Sequence, residues 1–200
     1  MVSEGKILNK GTRIVNKAVN SAISNNKPFL EVLNNLAGGE FNKYFSYQTV
    51  ADMLGKRISV LSKPKGMGMK GMALPTVVYG TVEKGRPGKF DPATNTITID
   101  PNNAQGQDLG QVVMHETMHY MLDHIIDNRK NLSEGQKNAL KRLEQLHKQV
   151  KSKLGKDFDI PNLKEFVAEA FTNSDFQRAL ASLRPAPGSK LSRTASDIVW

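Results

Sequence analysis

Residues Val113 to Tyr120 read V-M-H-E-T-M-H-Y, and no proline or glycine interrupts the chain from Gln111 to Arg129. An uninterrupted stretch of that length predicts a helix. Residues four apart then share one face, so His115 and His119 stand one turn apart, with Glu116 directly after the first. Two imidazoles so placed can hold one metal ion. Val112, Val113, Met118, Met121, Leu122, Ile125 and Ile126 make the helix apolar enough to be buried. A buried helix carrying two histidines and a glutamate on its inner side is costly unless those groups are paired or bound to metal. The competing reading is a pair of hydrogen-bonded surface histidines, and the apolar flanks favour the metal.

The totals narrow the chemistry. Two hundred residues are enough for one domain with a core and a small appended piece. The absence of cysteine excludes disulfides, thiolate metal sites and a cysteine nucleophile. The N-terminal M-V-S-E-G-K-I-L-N-K has no apolar core of a signal peptide, and no apolar run approaches the ~20 residues of a membrane span. A cytoplasmic or virion-associated protein is expected, with no membrane partner. The net charge of +9 is partly local: Ser133 to Lys156 holds seven Lys/Arg against two Asp/Glu. No aromatic residue interleaves those lysines, so a solvated helix face is favoured over a nucleic-acid site.

Helical spacing recurs at Ile14, Val15, Ala18, Val19, Ala22 and Ile23. Pro28 suits the first turn of a second helix reaching about Leu36, and Gly38-Gly39 ends it. Phe41, Tyr44, Phe45 and Tyr47 are expected to pack as an aromatic cluster. Arg57 to Leu61 reads as a short strand. Lys63 to Met72 reads as a loop whose methionines suit a substrate cleft or a plain connector equally. Thr76 to Val82 and Thr96 to Ile99 read as strands separated by a turn at Phe90 to Asn95. Asp108 or a neighbour caps the histidine helix, which runs to about Arg129. A long helix follows Ser133, with Ala139, Leu143, Leu146, Val150 and Leu154 on one stripe and Gly155 closing it. Further helices are expected from Leu163 to Phe171 and from Asp175 to Leu183. Arg184 to Lys190 is a linker by composition.

A catalytic zinc takes three protein ligands and leaves a position for water. Glu165, Glu169 and Asn173 lie at successive turns of the helix E-F-V-A-E-A-F-T-N. Glu169 is the preferred third ligand because Ala168 and Ala170 permit close approach. Glu165 is the reserve, its alternative being a surface pair with Lys164 or Lys148. Asn173 is positioned to accept from the free ring nitrogen of His115. Asp123, one turn beyond His119, faces water in this reading, and His124 and His147 fall off the ligand face.

The pair H-E-T-M-H and E-F-V-A-E-A-F-T-N resembles the gluzincin, or thermolysin-like, zinc metallopeptidases. The stretch G-K-F-D-P-A-T-N-T-I-T-I-D is similar to zincin-like domains of large phage and mobile-element polyproteins, where it would form the hairpin and edge strand beside the cleft. The resemblance spans about Thr76 to Leu183. It implies Zn2+ on His115, His119 and Glu169, with Glu116 as general base. The thermolysin pattern has an aspartate where this chain has Asn173, and it has a late histidine, often with a tyrosine, to hold the oxyanion. Neither His nor Tyr follows Glu169 here. Tyr120, Tyr79 and Arg178 are the substitute candidates, and loss of such a donor costs about 100- to 1000-fold in rate.

The expected fold is α+β and zincin-like: a small, mostly antiparallel sheet packed on the active-site helix, with a helical C-terminal half. Residues 1–70 form a helical region of unknown role, 71–184 the metallopeptidase-like domain, and 185–200 a linker with the start of a following segment. The expected function is zinc-dependent hydrolysis of a protein or peptide, with Thr96 to Ile99 pairing with the substrate if it is an edge strand. The alternatives are an inactive zincin-fold docking segment of a phage polyprotein or virion, and a basic nucleic-acid-binding module.

Overall fold

A computed structural model of the chain describes residues 4–37, 47–62, 73–104, 107–127 and 129–183. These residues form a mixed α+β structure, mostly helical. In chain order they give α1 (Glu4–Ser24), α2 (Phe29–Ala37), α3 (Tyr47–Ser62), β1 (Thr76–Tyr79), β2 (Gly88–Asp91), β3 (Thr96–Ile99), α4 (Leu109–Asp127), α5 (Glu134–Leu154), α6 (Leu163–Thr172) and α7 (Ser174–Ser182). Two compact units divide between Tyr120 and Met121, inside the continuous helix α4. The aromatic residues 41–45, the methionine loop from Lys63 to Met72 and the linker after residue 183 lie outside the described residues, as does the Gly38-Gly39 stop.

In the first unit, α1 buries Val15, Val19, Ala22 and Ile23, the stripe its sequence spacing predicts. It stops where Asn26 takes φ 51°, and the Lys27 N–H closes on the Ala22 carbonyl at 2.9 Å. An asparagine in the left-handed region with this bond pattern satisfies carbonyls that the helix leaves open. Helix α2 buries Phe29, Val32, Leu33 and Leu36. The expected strand from Arg57 to Leu61 lies inside α3 instead. Ile58 is one of a buried set with Ala51 and Leu54, spaced for a helix, and five residues were too short a window to show that period.

The sheet is three-stranded, in the order β1-β3-β2. β3 runs parallel to β1 (Val77 opposite Ile97) and antiparallel to β2 (Phe90 opposite Ile97). The sheet is therefore mixed rather than mostly antiparallel, and β3 is its centre rather than an edge. Strand β1 stops at Tyr79, short of Val82. Asn95, at φ 52°, turns the chain into β3 and donates its amide to the Leu74 carbonyl at 2.9 Å, holding the lead-in to β1.

Beyond β3, the buried carboxylate of Asp100 accepts the N–H groups of Val82 at 2.9 Å, Asn102 at 2.9 Å and Asn103 at 3.3 Å. The Val82 N–H, with help from those of Asn102 and Asn103, holds this carboxyl below its ordinary range against the opposing effect of burial. The native state then binds fewer protons here than the unfolded chain. The stabilisation is present above the ordinary carboxylate pKa of about 4 and is lost as pH falls through the depressed value. Melting temperatures of the wild type and Asp100→Asn should therefore converge on acidification below about pH 4. A gap independent of pH would contradict this role.

In the second unit, α5 opens with a capping box. Ser133 Oγ accepts the Gln136 N–H at 3.3 Å, and Gln136 Oε1 accepts the Ser133 N–H at 2.9 Å. Its core side is Leu140, Leu146 and Val150, and Ala139 of the predicted stripe is exposed. Phe166 and Phe176 are almost wholly buried, meet edge to face at 6.0 Å, and Phe158 packs on Phe176 at 4.9 Å. Each such ring contributes about 1.5–3 kcal/mol by burial. His147 lies against Phe166 at 5.3 Å with Nε2 at 3.0 Å from the Ile160 carbonyl, a packing role that fits its exclusion as a ligand.

Candidate metal centre

Helix α4 starts with a double anchor. Asp108 Oδ1 accepts the Gly110 N–H at 2.9 Å, and Asn16 Oδ1, from α1, accepts the Leu109 N–H at 2.8 Å. From Leu109 to Leu122 the helix is buried except for one half-exposed stripe: Gln111, His115 and His119, continued by Asp123. The histidines therefore sit on the wet stripe rather than on the inner side. This removes much of the desolvation cost that their burial would carry. Their rings meet edge-on with centroids 4.9 Å apart.

Glu116 is the buried member of the motif, at 6% exposure. Its Oε2 accepts the backbone N–H of Phe90, in β2, at 2.8 Å. That bond requires β2 to lie close to α4, and Gly88 permits it. A Cβ there would stand 2.8 Å from Val112 Cγ1 and 3.1 Å from Glu116 Cγ. Gly88→Ala should therefore destabilise the protein by about 1–3 kcal/mol through overpacking. Urea denaturation would measure it, and a change within about 0.5 kcal/mol would mean that the strand moves freely.

Tyr120 completes this side of α4. Its ring packs edge-on against Phe29 at 6.0 Å and Phe90 at 5.6 Å, and its hydroxyl donates to the Ala73 carbonyl at 2.8 Å. Burial pushes its phenol up to about 12.

His115, His119 and Glu165 form a group that could hold a metal ion. Each offers one ligand atom, and the three atoms lie within 4.8 Å of one another. Donors about 2.0–2.1 Å from a tetrahedral ion stand about 3.3 Å apart, a spacing within that limit. Two imidazoles and a carboxylate suit zinc, and equally suit other borderline divalent metals.

Local structure explains the place of Glu165. Asn162 caps α6, its Oδ1 accepting the Glu165 N–H at 3.0 Å, so Glu165 stands in the first turn, where the helix dipole favours a carboxylate. The preceding Lys164 pairs with Asp123, whose carboxylate is 13% exposed rather than facing water.

Glu169 Oε2 instead accepts the Asn173 amide at 2.6 Å. Asn173 ends α6 and begins α7, its Oδ1 accepting the N–H groups of Asp175 at 2.9 Å and Phe176 at 3.1 Å. Both ends of that side chain are used in holding the helix junction, and the acceptor expected for His115 is committed there. The signal was present in the sequence: Asn-Ser-Asp after an apolar helix is a helix-start pattern.

The oxyanion candidates have other engagements. The Tyr120 hydroxyl is bound to Ala73. The Tyr79 hydroxyl bonds Asn20, and burial raises its pKa. Arg178 pairs with Asp175 on the surface. His124 is exposed at the end of α4. No described helix is long and apolar enough to cross a membrane. Comparison with family models, with curated proteins and with solved structures finds no match to this chain.

Proposed function

We propose that the chain is a zinc-dependent peptidase of zincin type, with the metal held by His115, His119 and Glu165. The observation that carries this reading is the pairing of that ligand group with Glu116, a buried carboxylate one residue along from His115 on the same helix. When bound, zinc would lower the pKa of a water toward ~7 and polarise the scissile carbonyl. Glu116 takes the proton from the attacking water and delivers it to the leaving amine. The Phe90 N–H holds Oε2 of this carboxylate and fixes its direction.

An extended substrate would align on β2, the strand that flanks Glu116, and not on β3, which has neighbours on both sides. A casein or peptide-library assay tests the reading. Cleavage should stop on chelation and return with one equivalent of zinc, and hydrolysis indifferent to chelator would end it.

One observation favours a second reading. Tyr120, Tyr79 and Arg178 are all bonded elsewhere, so none stands free to stabilise an oxyanion. A zincin-type domain that keeps the metal as a staple, within a phage polyprotein or virion, fits that finding. It would bind zinc stoichiometrically and hydrolyse nothing.

A further inference from the structure

The solvent side of α5 has an order that solubility alone does not require. On a helical projection of α5, Asn138, Gln145 and Gln149 run along the middle of the exposed face. Lys141 and Lys148 flank them on one side, and Arg142 and Lys153 on the other, all four exposed. The neighbouring cations are used locally. Lys137 pairs with Glu134, Arg129 with Glu144, and Lys151 donates to the Pro161 carbonyl. The four flanking cations have no ion pair among the described residues. A helix dipole accounts for Lys153 in the last turn but not for Lys141, Arg142 and Lys148, which stand further back.

We propose that this face docks in the major groove of B-form DNA, independently of the metal centre. Helix width, at about 10–12 Å with side chains, matches a groove of about 12 Å. Cations on the two flanks then meet the phosphates of the two strands, and the central amides face the base edges, where Asn and Gln find donors and acceptors. Lys141 and Lys148 stand about 10 Å apart along the axis, and Arg142 and Lys153 about 16 Å. The absence of aromatic residues from this face argues against single strands, which bind by stacking. The deep, narrow major groove of RNA duplexes would not admit the helix.

Titration of the full chain with a labelled DNA duplex of about 20 base pairs, over a range of salt, tests this. Each phosphate contact contributes about 0.9 to the slope of log affinity against log salt, so Lys141→Gln with Lys148→Gln should flatten the slope by about 1.8. Arg142→Gln with Lys153→Gln should do the same. Gln145→Ala with Gln149→Ala should leave the slope in place while reducing discrimination between sequences. These positions are exposed, so circular dichroism and melting should match the wild type. No binding at low salt, a slope unchanged in both paired variants, or equal affinity for single strands, RNA duplex or polyglutamate would each overturn the proposal.

Discussion

Glu116→Gln is expected to reduce peptide hydrolysis by about 100- to 10,000-fold in kcat while zinc content and KM stay close to wild type. The amide oxygen of glutamine can still accept the Phe90 N–H, which Glu116 Oε2 accepts at 2.8 Å, so the helix and β2 keep their contact. The amide cannot take a proton from water, so the variant removes the proton carrier. Glu116→Ala is a different experiment. It leaves the Phe90 N–H without its acceptor and should destabilise the fold by about 1–3 kcal/mol, which confounds loss of chemistry with loss of structure. Single-turnover kinetics on a fluorogenic peptide would make the measurement. A Gln variant within about threefold of the wild-type kcat, far inside the range for a lost proton carrier, would remove Glu116 from the reaction. Zinc at one equivalent with no hydrolysis even in the wild type would instead leave the staple.

The part of this arrangement that could be read in the sequence was the part written in helical periodicity. His115, Glu116 and His119 are fixed relative to one another by one uninterrupted helix, so their spacing alone determines their geometry. The cap at Asp108 was likewise legible, because capping is a local hydrogen bond. Which groups meet across the chain was not. Phe90 and Asp91, read from the sequence as the start of a turn, belong instead to β2, whose leading glycine has no side chain to show the alternation of a strand. Its place beside α4 appears only when the missing Cβ at Gly88 is seen to make room for Val112 and Glu116. β3 has four residues whatever its neighbours, so nothing in T-I-T-I distinguishes a central strand from an edge. The histidines were expected on the inner side, since the flanks are apolar. A helix buried nearly all round still leaves one narrow stripe, and periodicity does not say which residues occupy it.

The choice between Glu165 and Glu169 shows the same limit and gives the second large effect. They are about one turn apart on α6, about 6 Å along the axis, and present carboxylates to the same side. Periodicity cannot separate them, and the small residues around Glu169 favoured it. Local bonds set them apart: Asn162 caps the Glu165 N–H in the first turn, Asn173 engages Glu169 at 2.6 Å, and Glu165 is the one grouped with the two histidines. Glu165→Ala should therefore weaken zinc binding by more than about 100-fold, beyond the roughly 10- to 100-fold that loss of a supporting contact costs. Glu169→Ala, which releases the Asn173 amide, should fall within that lower range or below it. Competition against a zinc-chelating dye would read both variants on one scale. Melting supplies an independent readout: zinc at about 100 times its Kd stabilises a binding-competent fold by about 2.7 kcal/mol, and that increment should vanish in Glu165→Ala and His119→Ala alike. If Glu169→Ala lost the metal and Glu165→Ala kept it, the ion would be bound one turn further along α6. Asn173 would then have to give up its bond to Glu169 whenever zinc bound.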